Sequence, residues 1–223
     1  MKKDLAALLI AVALVVGLFL PSAVFAMQDM SLRHDEDPGI EKVDLSIASG
    51  LGMAEKLDLF ADPDSTLVEV GLGRYQTADT LSALSWDLLS LLSGNGCDIL
   101  DAKSAVQEQQ SAAMITNGTQ AFIFWRVLFT DELGNTVRLY FDDETGRALG
   151  LSYSGTAKQK DEWAFAAFEL IAAMNGFTAE LVAENTEWST QEYLATLSGA
   201  DGTCNARLWI EDDFFGVITA WAG

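Results

Sequence analysis

Histidine is all but missing. The 223-residue chain has one, His34, in a polar stretch (MQDMSLRHDEDPGI, residues 27–40) whose Asp-Pro-Gly punctuation marks a flexible spacer. Activating a Ser or Cys nucleophile needs an adjacent base. Here that base exists only if His34 folds back onto Cys97 or Cys204, and there is no Gly-x-Ser-x-Gly elbow. Two cysteines and one histidine also fall short of an ordinary zinc site. Basic residues are scarce, with 13 Lys and Arg against 33 Asp and Glu and a net charge of −20. A surface of that sign repels nucleic-acid phosphates and anionic lipid head groups. Gly71-Leu-Gly73 lacks the further glycine of a phosphate-binding loop. These shortages weigh against an enzyme and against a nucleic-acid partner. They favour solubility, cationic partners or loosely held divalent cations.

What is present begins with an export pattern. MKKD is a short basic start, residues 5–20 (LAALLIAVALVVGLFL) are an unbroken apolar run, Pro21 breaks it, and Val24-Phe25-Ala26 fits a small-residue cleavage site. The run is also long enough to remain as a membrane anchor, but the proline and the small residues favour cleavage after Ala26. Either way the rest of the chain is expected outside the cytoplasm, secreted or anchored, with membrane contact only through residues 1–26 if they are uncleaved. Losing them removes Lys2, Lys3 and Asp4 and leaves 11 basic and 32 acidic side chains, a charge of −21. Half the residues are hydrophobic, enough for one or two small domains with real cores.

The chain then divides into a lead-in (41–75), a first α+β unit (76–155) and a second (156–223). In the lead-in, Val43, Leu45 and Ile47 alternate as a strand, Leu51, Ala54, Leu57 and Phe60 recur as a short helix, and residues 67–70 form another strand. Leu81, Leu84, Leu88 and Leu91 predict a helix over 77–94, with Thr77 as its N-cap. Residues 97–118 predict one strand and an exposed, Gln-rich loop. Residues 121–153 (AFIFWRVLFTDELGNTVRLYFDDETGRALGLSY) read as three antiparallel strands joined by two tight turns, the first apolar on both faces as a central strand is. Thr156 and Gln159 have capping-box spacing and open a second helix with a wide apolar surface. Strands follow at 179–184, 191–197, 204–211 and 216–221.

Displacing the chain by 69 residues superposes Phe124 on Tyr193, Leu128 on Leu197, Arg138 on Arg207, and Leu139-Tyr140-Phe141 on Leu208-Trp209-Ile210. An offset of 80 superposes Leu88, Leu91, Asn95 and Gly96 on Phe168, Ile171, Asn175 and Gly176. The expected fold is therefore α+β, as two repeated helix-plus-antiparallel-meander units behind the N-terminal signal or anchor helix. Each unit would pack its helix on a small sheet of its own, and the first would carry an insertion around residues 106–118.

The run VRLYFDDETGRALGL, residues 137–151, resembles the end of a PepSY domain, where a strand ending in acids, a Thr-Gly turn and a returning strand follow a helix. In the second unit Asp213-Phe214-Phe215-Gly216 stands in place of Glu144-Thr145-Gly146. The resemblance implies a small cystatin-like α+β module, in two tandem copies, that works outside the cytoplasm by binding or restraining partner proteins. It implies no catalytic residues. With the export segment and the missing catalytic set, it points to a non-enzymatic module acting on another cell-envelope protein.

The alternative is a calcium-, glycan- or small-ligand-binding extracytoplasmic protein. Calcium takes oxygen ligands, which Asp142, Asp143 and Glu144, or Asp62 and Asp64, supply without EF-hand spacing. Exposed Trp188, Trp209 or Trp221 would serve a glycan, although six tryptophans in a fold of this kind mostly fill its core. Paired acids at hairpin ends leave a glycosidase open on numbers alone. Cys97 and Cys204 would close a long loop as a disulfide in an oxidising compartment, or remain buried thiols.

Overall fold

The structure is a computed structural model that describes residues 50–156, 159–187 and 190–218. The signal or anchor segment, the spacer with His34 and the strand expected at 43–47 lie outside the described residues, as do Trp188 and Trp221. The described residues fall within one compact unit, Ser46–Gly223. Among them no helix is long and apolar enough to cross a membrane.

The elements follow the hydrophobic periodicity. They are α1 (Met53–Ala61), β1 (Thr66–Gly71), α2 (Ala78–Gly94), β2 (Val106–Thr116), β3 (Ala121–Thr130), β4 (Thr136–Asp142), β5 (Ala148–Ser154), α3 (Lys160–Met174), β6 (Phe177–Glu187), β7 (Thr190–Gly199), β8 (Gly202–Ile210) and β9 (Phe214–Val217). The Thr77 hydroxyl caps α2 by accepting from the Thr80 N–H at 3.2 Å. Both long helices end at Asn-Gly, with Gly96 and Gly176 at φ +83° and +80°, the left-handed conformation that suits a helix C-terminus. Two local expectations change. The stretch expected as a Gln-rich loop is mostly β2, and α3 starts from Gln159 without a side-chain cap, so the expected capping box is not formed.

The larger correction concerns the architecture. The expected α+β arrangement of two helix-plus-meander units, each with its own sheet, is replaced by a single nine-stranded sheet in the order β1-β2-β3-β4-β5-β9-β8-β7-β6. Every neighbouring pair is antiparallel. The joint is β5 against β9, where Leu151, Ser152, Tyr153 and Ser154 face Val217, Gly216, Phe215 and Phe214. A separate sheet would end at β5 and another at β9, each with a row of unpaired N–H and C=O groups, and such edges recruit other strands. Pairing them satisfies both. The stacked rings of Tyr153 and Phe215, 5.1 Å apart, seal the seam.

The sheet is covered on both faces. Phe60 of α1 meets Phe124 and Tyr140 edge-on at 5.1 and 5.3 Å. Phe129, on the opposite face of β3, meets Trp86 of α2 at 4.9 Å. The expectation that β3 is a central strand, buried on both faces, therefore holds. Helix α3 lies on β5, β9, β8 and β6 and touches α2.

Helix α1 shows how the sheet is shaped. Lys56 and Phe60 point at β3 and β4, while Ala54 and Asp58 lie against the start of β8. Residues two apart on a helix differ by about 200°, so opposite sides of α1 touch the same sheet. The sheet curls around this helix, and seven of its nine residues are buried.

Candidate functional site

The hairpin acids come first, because the chain's most chemically suggestive run is at the β4–β5 turn. Asp142 and Asp143 are consecutive and fully buried, yet they serve opposite faces of the sheet. Asp142 pairs directly with Phe124 and so faces α1, where the Lys56 ammonium donates to both of its oxygens at 3.0 Å. The same ammonium donates to Glu144 at 2.8 Å. Thr145 completes the Asp142 shell through its N–H and its hydroxyl, at 3.0 and 2.6 Å.

Asp143 faces the other way. Its carboxylate accepts from three successive backbone N–H groups, Arg74, Tyr75 and Gln76, at 2.7, 3.1 and 3.1 Å. The Trp125 indole N–H adds a fourth bond at 2.7 Å. A carboxylate ringed by this many donors is held by charge-assisted bonds, among the strongest a protein makes. Gly73 is required here by space alone, since a Cβ at that position would lie 2.1 Å from Asp143 Oδ1 and 2.4 Å from Trp125 Nε1. The pair therefore works as a rivet through the sheet, with Asp142 fixing α1 on one face and Asp143 fixing the approach to α2 on the other.

Asp142, Asp143 and Glu144, read from the sequence as calcium ligands, thus already have protein partners. A cation entering there would have to displace Lys56. Asp62 and Asp64 sit in the turn after α1, where Asp62 accepts from the Asp64 N–H at 3.0 Å. Among the described residues no group of three or more His, Cys, Asp or Glu is arranged to hold a metal ion.

The two cysteines are not joined. Cys97 follows α2 with its thiol 3.7 Å from the Trp163 carbonyl of α3, and Cys204 is on β8. Both are buried and free. Burial, then the charge of Asp58, raises the Cys204 thiol to about 11. Burial, then Asp98, raises that of Cys97. Both thiols are therefore poor nucleophiles near neutral pH. Trp209 is half-buried on β8, its indole N–H without a partner among the described residues.

An open groove remains, about 640 Å³ in volume, on the α1 side of the sheet. One wall is α1 and the turn after it, with Glu55, Asp58 and Asp62. The floor is Leu194 and Thr196 of β7 with Asn205 and Arg207 of β8, and Asn117 and Gln120 close one end. Asp58 is tied to the floor through the Asn205 N–H at 3.1 Å. The Arg207 guanidinium is neutralised by Glu192 at 2.9 Å, so acid outweighs base along the walls. Val182 of β6 forms the outer rim. On the opposite face of the β6–β7 hairpin, burial, then Glu184 and Asp161, raises the Tyr193 phenol above its ordinary value.

Sequence reasoning placed the acids but missed Lys56 and the groove. Lys56 carried a signal, as the one cation in the otherwise apolar and acidic helical run MAEKLDLFA. The groove carried none, because its walls come from α1, β6, β7 and β8 and meet only once the sheet curls.

Comparison of the chain with protein-family models, curated proteins and solved structures finds no match.

Proposed function

We propose that the chain is an exported, non-enzymatic module that binds or regulates another protein of the cell envelope. The observation that carries this reading is the open groove beside α1, which lies next to a hairpin whose outer strand is exposed on both faces. Grooves and unpaired strands are the surfaces on which binding modules take partner segments. The buried acids, by contrast, are spent on holding helices to the sheet. The export pattern of residues 1–26 and the PepSY-like hairpin at residues 137–151 support the same reading.

The test is crosslinking in intact cells with a tag placed after Gly223, followed by mass spectrometry of the envelope fraction. One dominant crosslinked protein is expected. Only uncrosslinked monomer, in cells where the protein is abundant, overturns the reading. The mature mass from the same sample checks cleavage after Ala26.

A further inference from the structure

Strand β6 ends the sheet, and no described strand pairs with its outer side. It is 11 residues long, against six for β1 at the opposite edge. Long edges are normally blunted with lysine, proline, inward-pointing charge or a bulge, and the single irregularity of β6, between Leu181 and Ala183, leaves its pairing with β7 running from Phe177 to Glu187. The hairpin FTAELVAENTE and TQEYLATLSG contains no Lys, Arg or Pro. What it exposes is an aliphatic run, Leu181-Val182-Ala183, between two acids, Glu180 and Glu184. Glu180 and Val182 are on the groove side, and Leu181 and Glu184 are on the other, with Leu181 49% and Val182 66% exposed. Val182 lines the groove, and the register shift between Leu181 and Ala183 places Glu184 on the opposite face, so edge and groove form one continuous surface.

We propose that β6 accepts an extended, cationic segment of another protein as a tenth strand, with Lys or Arg side chains meeting Glu180, Glu184 and the acidic groove wall and aliphatic side chains covering Leu181 and Val182. This rests on the binding-module reading and names the partner chemistry for the same surface. The backbone groups of the edge supply affinity, and the two acids that bracket the aliphatic run, one on each face, supply register. A second copy of this chain is the wrong occupant. Pairing two β6 strands would set side by side two edges that carry Glu180 and Glu184 and no Lys or Arg, between molecules that each carry −20, and like charges across a strand pair destabilise it.

The probe is a fluorescent nine-residue peptide in which pairs of Lys and pairs of Val alternate (Lys-Val-Val-Lys repeated), so that each face carries both a cation and an aliphatic side chain, titrated against the full-length protein by anisotropy. Its match is the same peptide N-methylated at every residue, which keeps the charge but cannot donate a strand hydrogen bond from either edge. Binding is expected to weaken at least about tenfold on N-methylation, and by a similar factor in E180K/E184K, two exposed positions whose reversal leaves the core intact. Equal binding of the methylated peptide, indifference to the charge reversal, or no binding of the Lys-Val peptide each overturns strand addition. In cells, E180K/E184K is expected to lose the partner crosslinked by the wild-type protein. A partner that survives the substitution overturns this inference and leaves the module reading standing, whereas a wild-type protein with no partner overturns both.

Discussion

At the scale of the residue, the tightest constraint is the space around Gly73. Its neighbours are a carboxylate and an indole that already hold one another at 2.7 Å, so a methyl group there must push Asp143 off the backbone N–H groups of residues 74–76. Gly73→Ala is expected to lose about 3 kcal/mol, the cost of stranding a buried charged acceptor. Urea denaturation of Asp143→Ala, Gly73→Ala and the double variant checks this. In the Asp143→Ala background the added methyl is expected to cost less than about 1 kcal/mol, because the carboxylate it strikes is gone and the Trp125 indole, 2.4 Å from the new Cβ, is freed from its bond to Asp143 and can move aside. Additive losses would show that the clash is with the Trp125 indole instead. The acids at this hairpin were legible in the sequence as a pair, but their role was not. Apart from Trp125 and Thr145, their partners are 67 to 86 residues upstream, and a run of acids in a turn looks the same whether it is solvated, metal-binding or clamped.

At the scale of the element, α1 is the part that local pattern describes least. A nine-residue helix is too short to stand on propensity, and it is held by burial and by the Lys56 ion pair. Lys56 and Asp142 are 3% and 1% exposed, so removing Lys56 leaves a buried carboxylate with only Thr145 donating to it, and removing Asp142 leaves a buried ammonium with only the exposed Glu144. Lys56→Met is expected to cost about 3–5 kcal/mol, and Asp142→Leu a comparable amount. The double variant is expected to recover much of either loss, since two apolar groups can replace a buried pair. Thermal melts of the four proteins close this cycle, and a double variant that loses the sum of the singles would place Lys56 outside the ion pair. Elements governed by local periodicity were readable. The stripe of α2, its Thr77 cap, the Asn-Gly stops and the β3–β4–β5 meander all follow from neighbours within a few residues. The start of α3 was misread because Thr156 and Gln159 have the spacing of a capping box without its geometry.

At the scale of the whole molecule, the question is what makes one sheet of two runs of strands. In chain order, a helix and four antiparallel strands come twice, and this local regularity led to the expectation of two units. What the sequence does not display is the pairing of β5 with β9, because register between strands more than 60 residues apart leaves no periodic trace in either of them. Two features couple the halves. One is the four-residue seam. The other is α1, which touches β3 and β4 with one side and β8 with the other. Gly150 marks the seam, since a Cβ there would lie 2.4 Å from the Val217 carbonyl and 3.0 Å from that of Ile218. Both contacts are with backbone, so β9 itself would have to move. A sheet coupled in this way should unfold as one unit, and calorimetry of the wild-type protein is expected to show a single transition. Gly150→Val should then lower it by about 10 °C, as expected for a loss of about 3 kcal/mol in a domain of this size. If α1 alone keeps the halves coupled, the lowered transition stays single; if the seam is the main coupling, it splits in two. A wild-type protein that melts in two steps, or a Gly150→Val variant that melts unchanged, would mean that β9 does not close against β5. The edge for a partner strand would then lie at the centre of the molecule and not at β6.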